Sequence, residues 1–197
     1  MNYFRVALAA MFGVLFQSNV MAADIDTSAE FAYVTDFASG KVLMDKDPDS
    51  PMKPASMAKI MTVYVAFQRI ADGSLSLDDA FLISEKAWRK GGSKTFVEVG
   101  KQVAVRDLLM GVVVQSGNDA AIAIAEGISG TEDGFAEEMN YVARQLGMNN
   151  TVFKNATGWP DPDQVTTARD LNILATALIR DFPSQDFPDL YPMFAEK

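Results

Sequence analysis

An α+β fold is what this 197-residue sequence predicts, on three observations. Two short apolar runs near the N-terminus flank a segment rich in turn formers, the pattern of a β-hairpin. Most of the remaining chain then carries apolar residues at helical spacing. No repeat, low-complexity tract or linker divides the chain, and at 49% apolar and 22% charged residues it can build one core rather than stay disordered.

The first residues stand apart from that core. Arg5 is the only charge ahead of an apolar run from Val6 to Phe16, which is too short to span a bilayer. Small residues follow at Val20-Met21-Ala22, so residues 1–22 are expected to be an export signal cleaved near Ala22 or Ala23. Residues 23–197 would then form the exported domain.

The hairpin comes next, with Phe31–Thr35 and Lys41–Met44 as strands around Asp36–Gly40. Asp47-Pro48-Asp49-Ser50-Pro51 reads as a loop, because proline removes donors and Asp and Ser favour turns. From Ser56 to Ile70 nothing breaks a helix until Asp72-Gly73. Ile60, Met61, Val63, Tyr64, Val65, Phe67 and Ile70 cover nearly all its sides, which predicts a buried helix. Asp78 to Val105 reads as short strands with a glycine-rich loop at Gly91-Gly92-Ser93. Helical spacing begins at Arg106, breaks at Ser116-Gly117-Asn118-Asp119 and resumes from Ala120. Gly134–Leu146 is a further helix closed by Gly147, and a last one starts at Thr167-Ala168-Arg169-Asp170 and runs to Arg180 before Pro183.

Composition excludes several classes of function. A net charge of −9 argues against nucleic acid as a partner, since phosphate contacts need clustered Lys and Arg. The chain has no cysteine and no histidine, which removes disulfides, cysteine nucleophiles and every Ser-His-Asp triad. Any general base must be Lys, Asp, Glu or Tyr. Nothing resembles a ligand cluster, so no metal and no cofactor is expected.

Two clusters can carry chemistry. In Ser56-Met57-Ala58-Lys59, positions i and i+3 share a helix face, so the Lys59 amine can lie beside the Ser56 hydroxyl. A serine is a poor nucleophile until a neighbour takes its proton, and a lysine desolvated by apolar surroundings can do so. Spacing alone equally fits an exposed serine cap and a solvated lysine. In Ser116-Gly117-Asn118, a hydroxyl and an amide two residues apart can face one cleft, the first relaying a proton and the second orienting a carbonyl. Taken alone, Asn118 and Asp119 read better as plain N-caps of the following helix.

Taken together, Pro54-Ala55-Ser56-Met57-Ala58-Lys59-Ile60-Met61-Thr62 and Gln115-Ser116-Gly117-Asn118-Asp119-Ala120-Ala121 resemble the low-molecular-weight penicillin-binding proteins, the serine-type D-alanyl-D-alanine carboxypeptidases. The likeness continues through Leu146-Gly147-Met148, Phe153-Lys154-Asn155 and Thr167–Asp170, spanning about residues 30 to 185. It implies a penicillin-binding, β-lactamase-like transpeptidase fold, an antiparallel sheet with a helical subdomain. It also implies roles: Ser56 as acyl-forming nucleophile, Lys59 as general base, Ser116 as proton relay and Asn118 as substrate-binding amide. The implied partners are peptidoglycan stem peptides ending in D-Ala-D-Ala and β-lactams. The family's C-terminal region, absent here, would supply any peripheral membrane association. Its third motif, K-T-G on a late strand, is absent as well, and Lys94-Thr95-Phe96 reads instead as part of the loop rimming the site. The chain is therefore expected to be an N-terminal piece whose C-terminal strands are missing. Rival readings are a D,D-endopeptidase of the same family, a β-lactamase (disfavoured because Asn155–Thr167 holds no Glu) and a non-catalytic peptidoglycan-binding paralogue.

Overall fold

A computed structural model describes residues 26–196; the expected export signal lies outside the described residues. Strand β1 (Ala32–Thr35) pairs antiparallel with β2 (Val42–Lys46). The turn between them is closed by the Asp36 amide donating to the Lys41 carbonyl and the Gly40 amide donating to that of Asp36, both at 2.8 Å. A second antiparallel pair joins β3 (Ala80–Leu82) to β4 (Gln102–Ala104). The expected antiparallel pairing is thus present, among the described residues, as two separate two-stranded sheets. Helices supply the core.

The helix expected from Ser56 divides in two. Ala55–Met57 form a 3-10 turn, and α1 proper is Ala58–Ala71. Its apolar residues are buried almost all round, Met61, Ala66 and Phe67 completely, as the all-sided pattern requires. One helix was not visible in the sequence: α2 (Glu85–Arg89), a single turn capped by the Ser84 hydroxyl accepting from the Ala87 amide. Helix α3 (Val105–Gln115) and α4 (Asn118–Ser129) then meet at a sharp junction. Helix α4 is the centre of the molecule. Ala120 to Ala125 are wholly buried, and its small residues let α1, α2, α3, α5 and β3 approach closely.

Helix α5 (Glu132–Leu146) ends at Gly147 in the left-handed conformation, as expected. Helix α6 (Ala168–Asp181) starts with the Thr167 hydroxyl accepting from the Asp170 amide at 3.1 Å. The Asp170 carboxylate does not complete a capping box; it accepts from the Asn150 amide and the Thr151 hydroxyl, tying α6 to the preceding loop. That loop is bridged to the chain just ahead of Ser56 through Met52 and Thr166, whose amides and carbonyls exchange two hydrogen bonds. Among the described residues no helix is long and apolar enough to cross a membrane.

Candidate active site

Ser56 sits exposed in the 3-10 turn, immediately ahead of the N-terminus of α1. One turn on, Lys59 enters the core and is only 4% exposed. Its ammonium lies 3.3 Å from the Ser56 hydroxyl and donates to the Thr157 carbonyl at 2.7 Å. Burial lowers the Lys59 ammonium to about 8, since a low-dielectric surrounding disfavours the charged form. Ser56, Lys59 and Ser116 line one small cavity of about 140 Å³, closed by Ile60, Val63, Val112, Val113 and Phe194. Among the described residues the Ser116 hydroxyl makes no hydrogen bond, so it faces this space without a fixed protein partner.

The α3–α4 junction holds Ser116 in an unusual backbone state. Ser116, not the adjacent glycine, takes the left-handed conformation (φ 54°, ψ 35°) that ends α3. Such a state costs a non-glycine residue on the order of 1–3 kcal/mol and persists where neighbours over-determine it. Gly117 keeps an ordinary φ of −60°, and space is what requires glycine there: a Cβ would overlap the Thr95 hydroxyl. The same junction grips the glycine-rich loop. The Asn118 backbone amide donates to the Ser93 carbonyl and its side-chain amide to the Gly91 carbonyl, both at 2.8 Å. Asn118 is itself buried and is not among the residues that line the cavity shared by Ser56, Lys59 and Ser116; one of its side-chain protons is committed to the loop.

The N-cap readings of Asn118 and Asp119 need correction. The cap position is Gly117, which has no side-chain cap bond. Asp119 is fully buried, and its carboxylate accepts from the amides of Thr95, Phe96 and Ala120 at 2.8–2.9 Å and from Val97 at 3.3 Å. It anchors the loop that includes Lys94-Thr95-Phe96 to the start of α4. Removing the acceptor strands buried amides, at about 1–3 kcal/mol for each group left unsatisfied. Asp119→Ala is expected to lower stability by roughly 3 kcal/mol, read as a fall in the denaturant midpoint.

The third wall is the segment Asn155–Trp159, which the sequence reading did not assign to the site. It supplies the Thr157 carbonyl to Lys59 and the Ala156 carbonyl to the Thr62 hydroxyl at 2.7 Å. Gly158 (φ +78°) presses on the turn that carries Ser56: a Cβ there would overlap the Ala55 carbonyl and come within 3.1 Å of the Ser56 amide nitrogen. The Lys53 ammonium holds the far end by donating to the carbonyls of Asp161, Pro162 and Gln164 at 2.7–3.1 Å. Gly158→Ala combines a steric overlap with a disfavoured φ. It is expected to lower stability by about 2–4 kcal/mol and to slow any reaction at Ser56 by about 100-fold, measured by unfolding and by acylation rate.

A serine hydroxyl beside a buried amine of lowered proton affinity is an arrangement suited to acyl transfer. Comparison with known proteins agrees. Residues 17–188 match the family described as Peptidase S11, D-alanyl-D-alanine carboxypeptidase. The chain is 39% identical over 175 residues to the D-alanyl-D-alanine carboxypeptidase DacC of Escherichia coli (strain K12), covering 86% of this chain and 43% of that protein. It is 38% identical over 148 residues to a D-alanyl-D-alanine endopeptidase of Pseudomonas aeruginosa, covering 74% of this chain and 46% of that one. The crystal structure of the D-alanyl-D-alanine carboxypeptidase DacD from Francisella tularensis superposes with a TM-score of 0.85 at 41% identity, over 90% of this chain and 42% of that one. The chain thus spans less than half the length of these relatives. With the family matched over most of its residues and the transpeptidase fold shared with solved relatives, the chain belongs to the D-alanyl-D-alanine carboxypeptidase family of serine peptidases.

Proposed function

We propose that this protein is a penicillin-binding D-alanyl-D-alanine carboxypeptidase that removes the terminal D-alanine from peptidoglycan stem peptides through an acyl-enzyme on Ser56. The observation that carries this reading is the 3.3 Å approach of a buried Lys59 amine to the Ser56 hydroxyl. At a pKa of about 8, roughly a tenth of Lys59 is neutral at pH 7, against about 0.03% for an ordinary lysine. The neutral amine takes the Ser56 proton as the oxygen attacks the carbonyl between the two D-alanines. The C–N bond then breaks, and Ser116 passes the proton to the departing amine. Water, activated by Lys59, hydrolyses the ester and frees Ser56 for another round. The Ser56 backbone N–H stabilises the oxyanion, helped by the nearby N-terminus of α1, and Asn118 orients the substrate amide.

An export signal over residues 1–22 fits this reading, since the substrate lies outside the cytoplasm. The Pseudomonas aeruginosa relative favours a second reading, cleavage of cross-links rather than stem termini. A pentapeptide stem and a cross-linked dimer offered side by side separate the two. The primary test is incubation with a fluorescent penicillin, followed by mass spectrometry of the digested protein. An adduct on the peptide carrying Ser56 supports the reading. A folded chain that forms no adduct, or forms it elsewhere, overturns it.

A further inference from the structure

Among the described residues, each buried or half-buried cation but one meets a hydrogen-bond acceptor or carboxylate. Lys59 has Thr157, Arg69 has Glu138, Lys94 has the Trp88 carbonyl and Arg169 has Asp49. The exception is Lys90, half-buried at the end of α2, whose ammonium makes neither a hydrogen bond nor an ion pair. Its ammonium lies instead over the Trp159 indole, 4.1 Å from the ring centroid. The opposing charge that acts on it is already committed: Glu132 is paired with Lys86 at 2.8 Å and accepts from the Ala156 amide. Burial lowers the Lys90 ammonium from its ordinary value, the mark of a cation short of stabilising contacts.

The place of this cation matters as much as its lack of a partner. Trp159 follows Gly158, which touches the nucleophile turn, and its backbone is pinned by Asn155 and Gln164. Gly91 and Gly92 also approach the indole, where added Cβ atoms would fall 3.9 and 3.3 Å from ring atoms. Gly91 is the residue whose carbonyl receives the Asn118 amide. Lys90 therefore stands on the wall that joins Asn118 to the Ser56 turn, on a rigid support, with 42% of the Trp159 surface still open to solvent. In a chain of net charge −9, a preorganised unpaired cation beside the site favours an anionic group on the incoming molecule.

We propose that Lys90, seated on Trp159, is a specificity-determining residue that binds a side-chain carboxylate on the acyl-donor part of the peptide, ahead of the scissile bond. The proposal rests on the reading of Ser56 as the site of peptide cleavage. It makes the enzyme prefer stems bearing a free carboxylate at that position over stems in which the group is amidated.

The test uses the full chain carrying Ser56→Ala, which stops turnover, and two peptides ending in D-Ala-D-Ala that differ only in glutamate or glutamine at the preceding residue. Calorimetry is expected to give about tenfold tighter binding of the glutamate peptide, the size of one charge-assisted hydrogen bond at a partly exposed site. Lys90→Met should equalise the two affinities, and Lys90→Arg should keep the preference. Equal affinities with Lys90 in place, a preference that survives Lys90→Met, or failure of both peptides to bind overturns the proposal. Penicillin adduct formation on Ser56 is scored separately in chains with an intact serine, so failure here is distinguishable from failure of the catalytic reading.

Discussion

Replacing Ser56 by alanine is expected to abolish the covalent penicillin adduct and to cut D-alanine release by roughly 10⁵-fold, the loss typical when a nucleophile acting with its base is removed. Loss of an attacking oxygen has no substitute nearby. Ser116 shares the cavity, yet it sits in a left-handed backbone state on another helix junction, away from the N-terminus of α1. Stability should stay within about 0.5 kcal/mol of wild type, because Ser56 is exposed. The Lys59 ammonium also keeps its bond to the Thr157 carbonyl. Gel fluorescence with labelled penicillin and a denaturant titration check the two halves. A persistent adduct in a folded Ser56→Ala chain would sink the assignment.

Lys59→Met is expected to slow acylation of Ser56 by about 10³-fold, within the usual range for a positioned general base. Methionine suits the apolar surroundings, so the comparison reads chemistry more than folding. The pH dependence supplies an independent signature. With Lys59 at about 8, the neutral fraction rises about tenfold per unit below pH 8 and levels off above it. The wild-type acylation rate should follow that curve, and the methionine variant should lack this step. Stability should move in the same direction. Lys59 binds fewer protons folded than unfolded between about pH 8 and its ordinary value, so wild-type stability rises with pH across that window and the variant's does not share the rise.

Much of the fold was legible because it rests on local rules. The hairpin is written in Asp36–Gly40, the burial of α1 in its all-sided apolar pattern, and the ends of α5 and α6 in Gly147 and Thr167. Helix α2 was missed because one turn carries too little periodicity, although Ser84 followed by Glu85 is a start signal. Within the site, Ser56 and Lys59 meet through a three-residue spacing that any helical turn enforces. The Thr157 carbonyl is different in kind. It is a backbone atom that every residue possesses, so no residue type announces it. Gly158 was the available signal, and its meaning depends on a tertiary contact with Ala55. Asp119 misled for a related reason: near a helix start an aspartate caps by default, whereas here the loop brought over by Thr95–Val97 takes the carboxylate instead.

The bond from Lys59 to Thr157 joins residues 98 positions apart, and the neighbouring bond from Thr62 to Ala156 spans 94. Closing loops of that length is entropically demanding, so these contacts form after the local helices rather than with them. A newly made chain can therefore hold most of its helices while its serine is still chemically inert. On the proposed function, reactivity of Ser56 toward penicillin is expected to lag behind the recovery of helical circular dichroism during refolding, a clock for the last stage of folding.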